Sequence, residues 1–269
     1  MSEIVRFKTQ SRTASQILQD VVFVTIGREL KVRFGSSFSS IIWLLMEPVS
    51  YVLTFWALFS LTGRTSISGV SIPEFILTGA LPFMYLRLSI TKCMEAVRSN
   101  KALLSYKGVT PFTCFLSRFL TETFIAIFAT IVLILAVYVC LGELSLQFSA
   151  QSFLTVAGYI VFVGLMSLLM MCLSHLYHPV TRIVPPLNRV LFFMSGVFYT
   201  SAMLPDKADA ILQYNPIFVW IEKLRDSTIR GFESDINVTY LPYLIMLSVT
   251  AIVFIFKREH NRKLLDATV

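Results

Sequence analysis

The sequence predicts an all-α integral membrane protein, with six transmembrane helices, an N-terminal cytoplasmic amphipathic helix, and two short periplasmic re-entrant helices ahead of the last span. Composition is the first observation behind this reading: 55% of the 269 residues are hydrophobic and only 14% are charged, and mean hydropathy is strongly positive. The second is length, since several charge-free windows reach about 20 residues, what a helix needs to cross a hydrocarbon core about 30 Å thick. The third is the distribution of basic residues, which collect on one side of the resulting layout. Residues 1–269 read as one transmembrane domain.

The first segment, 15–34, sets Ile17, Leu18, Val21, Val22, Val24 and Leu30 among polar positions and ends in Arg28-Glu29-Leu30-Lys31-Val32-Arg33. That pattern predicts a helix on the cytoplasmic face with basic residues toward anionic head groups, or alternatively a solvated charged face. Spans follow at about 38–61, 73–96, 119–141, 153–176, 184–203 and 240–256. Glu47-Pro48 interrupts the first, and Leu81-Pro82 is a point where the second can break; the second also carries Arg87, Lys92 and Glu95. After span five, Leu204-Pro205-Asp206 stops the helix, Ala208 to Tyr214 restarts as a short amphipathic one, and Asn215-Pro216 stops it again. Ile217 to Arg230 then restarts with Phe218, Ile221 and Leu224 on one face. Irregular backbone at membrane depth is tolerated only where protein or a water-filled cavity covers it, so this stretch points to a pathway through the bilayer.

Orientation follows from charge. The side carrying both termini holds Arg28, Lys31, Arg33, Arg98, Lys101, Lys107, Arg118, Arg182, Arg189 and the Lys257-to-Lys263 cluster. The other side holds Arg64, Lys207, Lys223, Arg225 and Arg230, the last four interleaved with Asp206, Asp209, Glu222, Asp226, Glu233 and Asp235. Both termini are therefore expected in the cytoplasm, and the polar N-terminal segment lacks the apolar core of a cleavable signal. No Gly-x-x-x-x-Gly-Lys-Ser/Thr phosphate loop occurs, so ATP is not expected to bind here. Cys93, Cys114, Cys140 and Cys172 lie singly in apolar segments, and His175, His178 and His260 lack metal-site neighbours, so no metal or catalytic group is expected. No nucleic-acid partner is expected either.

Two charges lie deepest. By helical rise, Glu47 sits roughly 13–14 Å from the inner edge of span one and Arg87 roughly 9 Å from the inner edge of span two. Because intramembrane charges seldom stay unpaired, Glu47 and Arg87 are expected to pair; alternatively, on the exporter resemblance that the motifs below carry, Arg87 meets a phosphate or acidic sugar of the cargo. Tyr51, Phe55 and Phe59 recur at four-residue spacing, with Phe198 and Tyr199 at a similar depth. Such a stripe could guide sugar rings along their C–H faces, or pack between spans and against lipid like other membrane aromatics.

The order GRELKVRFGSSF, WLLMEP, SGVFYTSAMLP and NPIFVWIEKLR resembles the permeases of type-2 ABC exporters, and in particular those of capsular polysaccharide export, the KpsM type. The resemblance implies a homodimer and a separate ATP-binding subunit of the KpsT type, which would carry ATP and magnesium. It also implies a lipid-linked polysaccharide as cargo, with a periplasmic co-polymerase and an outer-membrane export protein completing the path across a bacterial inner membrane. The loop Arg98 to Thr113 then becomes the coupling helix, with Asn100, Leu103 and Tyr106, beside Arg28, Glu29 and Lys31 of the first helix, as the ATPase contact; otherwise it is a basic connector. O-antigen and teichoic-acid permeases share the layout. An integral-membrane enzyme acting on lipid-linked sugars would need acids or histidines grouped at one interface, which the sequence lacks, and a structural scaffold is the third alternative.

Overall fold

The chain opens with α1 (Ala14–Phe34), then α2 (Ser39–Leu61), a two-stranded antiparallel hairpin of β1 (Ser66–Ile67) and β2 (Val70–Ser71), and α3 (Ile72–Met94). Ser68 and Gly69 both take positive φ in the hairpin turn, the mirror-image geometry that matches strand twist. Short α4 (Ala96–Ser99) leads to α5 (Pro111–Leu141), α6 (Ala150–Leu176), α7 (Val180–Met194), α8 (Asp206–Leu212) and α9 (Pro216–Thr228). This computed structural model describes residues 14–35, 39–63, 66–101, 104, 109–142, 144–234, 236, 245–250 and 252. Among them 245–250 and 252 are helical, and the rest of the expected sixth span lies outside the described residues.

Local signals set the ends of the long helices. Thr110 and Thr113 form a reciprocal capping box with Pro111 at the first helical position, and Ser149 and Ser152 repeat the box ahead of α6. Gly142 ends α5 in the left-handed conformation and donates its N–H to Tyr138. Helix α5 therefore starts eight residues before the expected 119. Together, α5 and α6 are the two helices among the described residues that are long and apolar enough to cross a bilayer on length and composition.

Helix α3 is the post of the bundle, packed against α2, α5, α6, α7 and α9. It runs unbroken through Pro82, so the point at Leu81-Pro82 where it could break is not used. Ala80, Phe83 and Leu86 are buried around the proline, and Tyr159 of α6 donates its hydroxyl to the Pro82 carbonyl at 2.7 Å. Pro48 likewise lies inside a continuous α2.

The fifth expected span, 184–203, is corrected. The helix is α7, which starts at Val180, stops at Met194, and at 15 residues is only about 22 Å long. Gly196 then takes φ 73°, Thr200 is extended, and Ser201–Met203 form a single 3₁₀ turn, so SGVFYTSAM is mostly not helical. The reason is tertiary: the carbonyls released by this turn are bonded by Arg225 from α9. The two short helices before the last segment are α8 and α9, the second started by Asn215, whose side chain accepts from the Ile217 N–H with Pro216 next.

Candidate functional site

Helix α9 was expected to be apolar on one face, yet it is buried almost all round. Phe218, Val219, Trp220 and Ile221 are inaccessible, and so are its charged residues Glu222 and Arg225. It runs beside α6, with Trp220 against Gly158 and Phe162 at one end and the Ser227 carbonyl bonded by the Ser152 hydroxyl at the other. A Cβ at Gly158 would lie 2.9 Å from the Trp220 ring, so the indole fits because that position is glycine. The Arg225 guanidinium donates to the carbonyls of Gly196 (2.7 Å), Val197 (2.9 Å), Tyr199 (3.2 Å) and Phe75 (3.2 Å). It also lies 3.8 Å from the Phe75 ring centre and 3.5 Å from Glu222. One side chain thus ties α9 to the end of α7 and the start of α3. Beside it, Asn215 donates to the Met194 carbonyl at 2.9 Å, so α9 begins where α7 ends.

Glu74, at the same end of the bundle, accepts from the Ser71 hydroxyl (2.7 Å) and the Ser145 N–H (2.6 Å) and is buried. Arg230 donates its N–H to the Ser145 carbonyl and Gln147 donates to that of Thr228, closing the end with an isolated bridge between Leu146 and Ile229. Sequence reasoning singled out none of Glu74, Trp220 or Arg225 for these tasks. The tryptophan's partner is a glycine in another helix and the arginine's partners are backbone carbonyls, neither of which leaves a pattern in the sequence.

The structure brings Glu47 of α2 and Arg87 of α3 together as an ion pair with both side chains half-buried. Toward the opposite end of the bundle three more polar contacts attach α1. Arg28 donates to Asn100, Glu29 pairs with Arg118 at 2.6 Å, and Arg33 pairs with Glu122. Glu29, Asn100 and Glu122 are buried, so the face of α1 that meets the bundle is polar, while Phe23 and Val24 point away and are exposed. Of the expected ATPase contacts, Lys31 is exposed, Arg28 is exposed but bonded to Asn100, and Glu29 and Asn100 are turned inward. Leu103 and Tyr106 lie outside the described residues. Glu122, three residues into the third expected span, carries one of these contacts.

The aromatic stripe of α2 faces α7 and the turn after it. Tyr51 lies 5.1 Å from Phe192, and Phe55 lies 3.9 Å from Phe198, between ring centres. Phe192 also meets Phe83 and Phe198, and Tyr199 meets Phe218 of α9 at 6.0 Å while donating to the Phe193 carbonyl. Phe59 is half-buried against the same core. All five residues named for the stripe, Tyr51, Phe55, Phe59, Phe198 and Tyr199, keep an accessible part.

Known proteins match this chain along most of its length. The Escherichia coli polysialic acid transport protein KpsM is 23% identical over 240 residues, 89% of this chain and 93% of that protein. The Klebsiella pneumoniae O-antigen export system permease protein RfbA is 26% identical over 235 residues, covering 86% and 88%. The Neisseria meningitidis serogroup B capsule polysaccharide export inner-membrane protein CtrC is 24% identical over 244 residues, covering 89% of each. The family profile of the ABC-2 type transporter matches residues 20–229, from within α1 to just beyond α9, and the chain belongs to that family.

Proposed function

We propose that this chain is the membrane-spanning permease of an ATP-driven exporter that moves a lipid-linked capsular polysaccharide across a bacterial inner membrane. The observation that carries the reading is the near end-to-end match to KpsM, 89% of this chain and 93% of that protein. In this reading α2, α3, α5, α6, α7 together with the turn after it, and the segment at 240–256 cross the membrane, both termini are cytoplasmic, and α8 and α9 fold back from the periplasmic side. The burial of most of α9, with Glu222 and Arg225, supports the last point, because a helix so enclosed is shielded from lipid. Two copies would form the pathway, with the half-buried rings of Tyr51, Phe55, Phe59, Phe198 and Tyr199 along it. A separate KpsT-type subunit would bind ATP and magnesium itself and contact this chain at Arg28, Lys31 and the loop holding Asn100, Leu103 and Tyr106. A periplasmic co-polymerase and an outer-membrane export protein would take the product onward.

Deleting the gene is expected to remove polysaccharide from the cell surface and accumulate it inside. The wild-type chain restores export, while Tyr51→Ala, Phe55→Ala and Tyr199→Ala restore less at equal protein level. Unchanged surface polysaccharide in the deletion strain would refute the reading. The RfbA match favours a second cargo, O-antigen, and the glycan that accumulates inside distinguishes the two.

A further inference from the structure

We infer that α1, α2, α3 and α5 enclose a binding site for a phosphate-bearing lipid in the leaflet on the α1 side of the membrane. A cavity of about 370 Å³ lies between these helices. Its charged lining is Arg33, Glu47, Lys92 and Glu122, Tyr85 and Thr130 add hydroxyls, and Met84, Ala126 and Ala129 form part of its apolar wall.

Depth gives the first argument. Lys92 is twenty residues beyond Ile72 on α3, about 30 Å along the helix, and Glu122 is nineteen residues before Leu141 on α5, about 29 Å. With Ile72 and Leu141 at one edge of a core about 30 Å thick, Lys92 and Glu122 both fall at the other edge, the level of lipid phosphates. The apolar wall climbs from there into the core: Ala126 and Ala129 are one and two turns beyond Glu122 on α5, and Met84 is about two turns deeper than Lys92 on α3.

Charge gives the second. Glu122 is matched by Arg33, and Glu47 by Arg87. Lys92 lines the same cavity, half-buried, and has no acid within ion-pair distance among the described residues; with Glu47 neutralised by Arg87 from outside the lining, Lys92 is the lining cation that no acid matches. The third argument is access. Met46 on α2 and Phe124 and Phe128 on α5 are large, apolar and exposed next to lining residues, which turns the mouth of the cavity toward lipid. A phosphate at Lys92 with its hydrocarbon chain over Ala126 and Ala129 satisfies all three; a soluble anion would leave the apolar wall unused. The inference holds for any phosphate on a lipid and does not depend on a polysaccharide cargo.

The test uses the full chain, purified in detergent with the subunits that accompany it, and follows thermal unfolding as lipid is added. Phosphatidylglycerol is expected to raise the melting temperature, inorganic phosphate is not, and Lys92→Gln should raise the phosphatidylglycerol concentration needed by about fivefold. Ala129→Leu, which fills the apolar wall, should weaken the response while leaving the charges in place. Equal responses from wild type and both variants, or stabilisation by inorganic phosphate as strong as by phosphatidylglycerol, would overturn the site. Should the variants not fold, native mass spectrometry of the wild-type chain decides: retention of phosphatidylglycerol over uncharged diacylglycerol supports the site, and equal loss of both overturns it. A lipid-linked glycan retained in place of phospholipid keeps the phosphate-lipid class and identifies cargo as the occupant.

Discussion

Arg225 shows how a single charged residue can organise a membrane protein from inside. Taking a guanidinium and a carboxylate out of water costs several kcal/mol per ion, which the four carbonyls and the Phe75 ring offset only because they are already in place. Arg225→Leu should therefore lower stability by about 3–5 kcal/mol, since the carbonyls of Gly196, Val197, Tyr199 and Phe75 lose their donor and buried Glu222 loses the cation beside it. Arg225→Lys should be intermediate, because one ammonium cannot reach four carbonyls in the same fork. Denaturation in detergent measures both, and a wild-type midpoint for the leucine variant would contradict the account. Gly79→Ala should imitate part of the loss: its Cβ would press on Arg225 and lie 2.9 Å from the Val197 carbonyl oxygen. The Glu47–Arg87 pair behaves differently because both partners are partly accessible. Glu47→Gln and Arg87→Gln are each expected to reduce export, and the exchange Glu47→Arg with Arg87→Glu to recover part of it in an assay of surface polysaccharide. No recovery from the exchange would mean that Arg87 acts on something other than Glu47.

At the scale of elements, α8 and α9 differ although the sequence made them look alike. Helix α8 buries none of its residues, and Lys207 and Ile211 are exposed, whereas α9 is enclosed by α3, α6 and the turn after α7. A cysteine at Lys207 should react with an impermeant reagent added from the periplasm, and one at Phe218 should not; labelling at Lys207 only from the cytoplasm would reverse the proposed topology. Trp220→Ala should cost about 3–5 kcal/mol as a large core ring lost, detectable as a lower unfolding midpoint. Helix α1 is attached by the polar contacts Arg28–Asn100, Glu29–Arg118 and Arg33–Glu122, with Val22 and Thr25 buried on the same face. Such contacts make it move with α4 and α5, which suits an element expected to receive force from a partner.

For the whole molecule, membership of the ABC-2 type transporter family and the missing phosphate loop together imply that energy comes from another chain. The purified chain alone should hydrolyse no ATP and should copurify with an ATP-binding subunit in equal amount, as judged by activity and by stained gel. ATPase activity in the isolated chain would overturn this division of labour.

Sequence alone determined the helical membrane class, the polarity of the N-terminal segment, the restart at Asn215-Pro216 and the family resemblance. These are local properties: hydropathy, proline, capping residues and charge act within a turn or two of the chain, so they can be read residue by residue. The tertiary structure decided that Pro82 does not break α3, that α7 ends at Met194, that α9 is buried all round, and that Glu122 and Asn100 serve α1. Each of those rests on a partner far along the chain: Tyr159 for Pro82, Arg225 for the carbonyls after α7, Gly158 for Trp220, Arg33 for Glu122. A carbonyl or a glycine that receives a distant side chain carries no mark of it in sequence, because the fit exists only once the helices have packed.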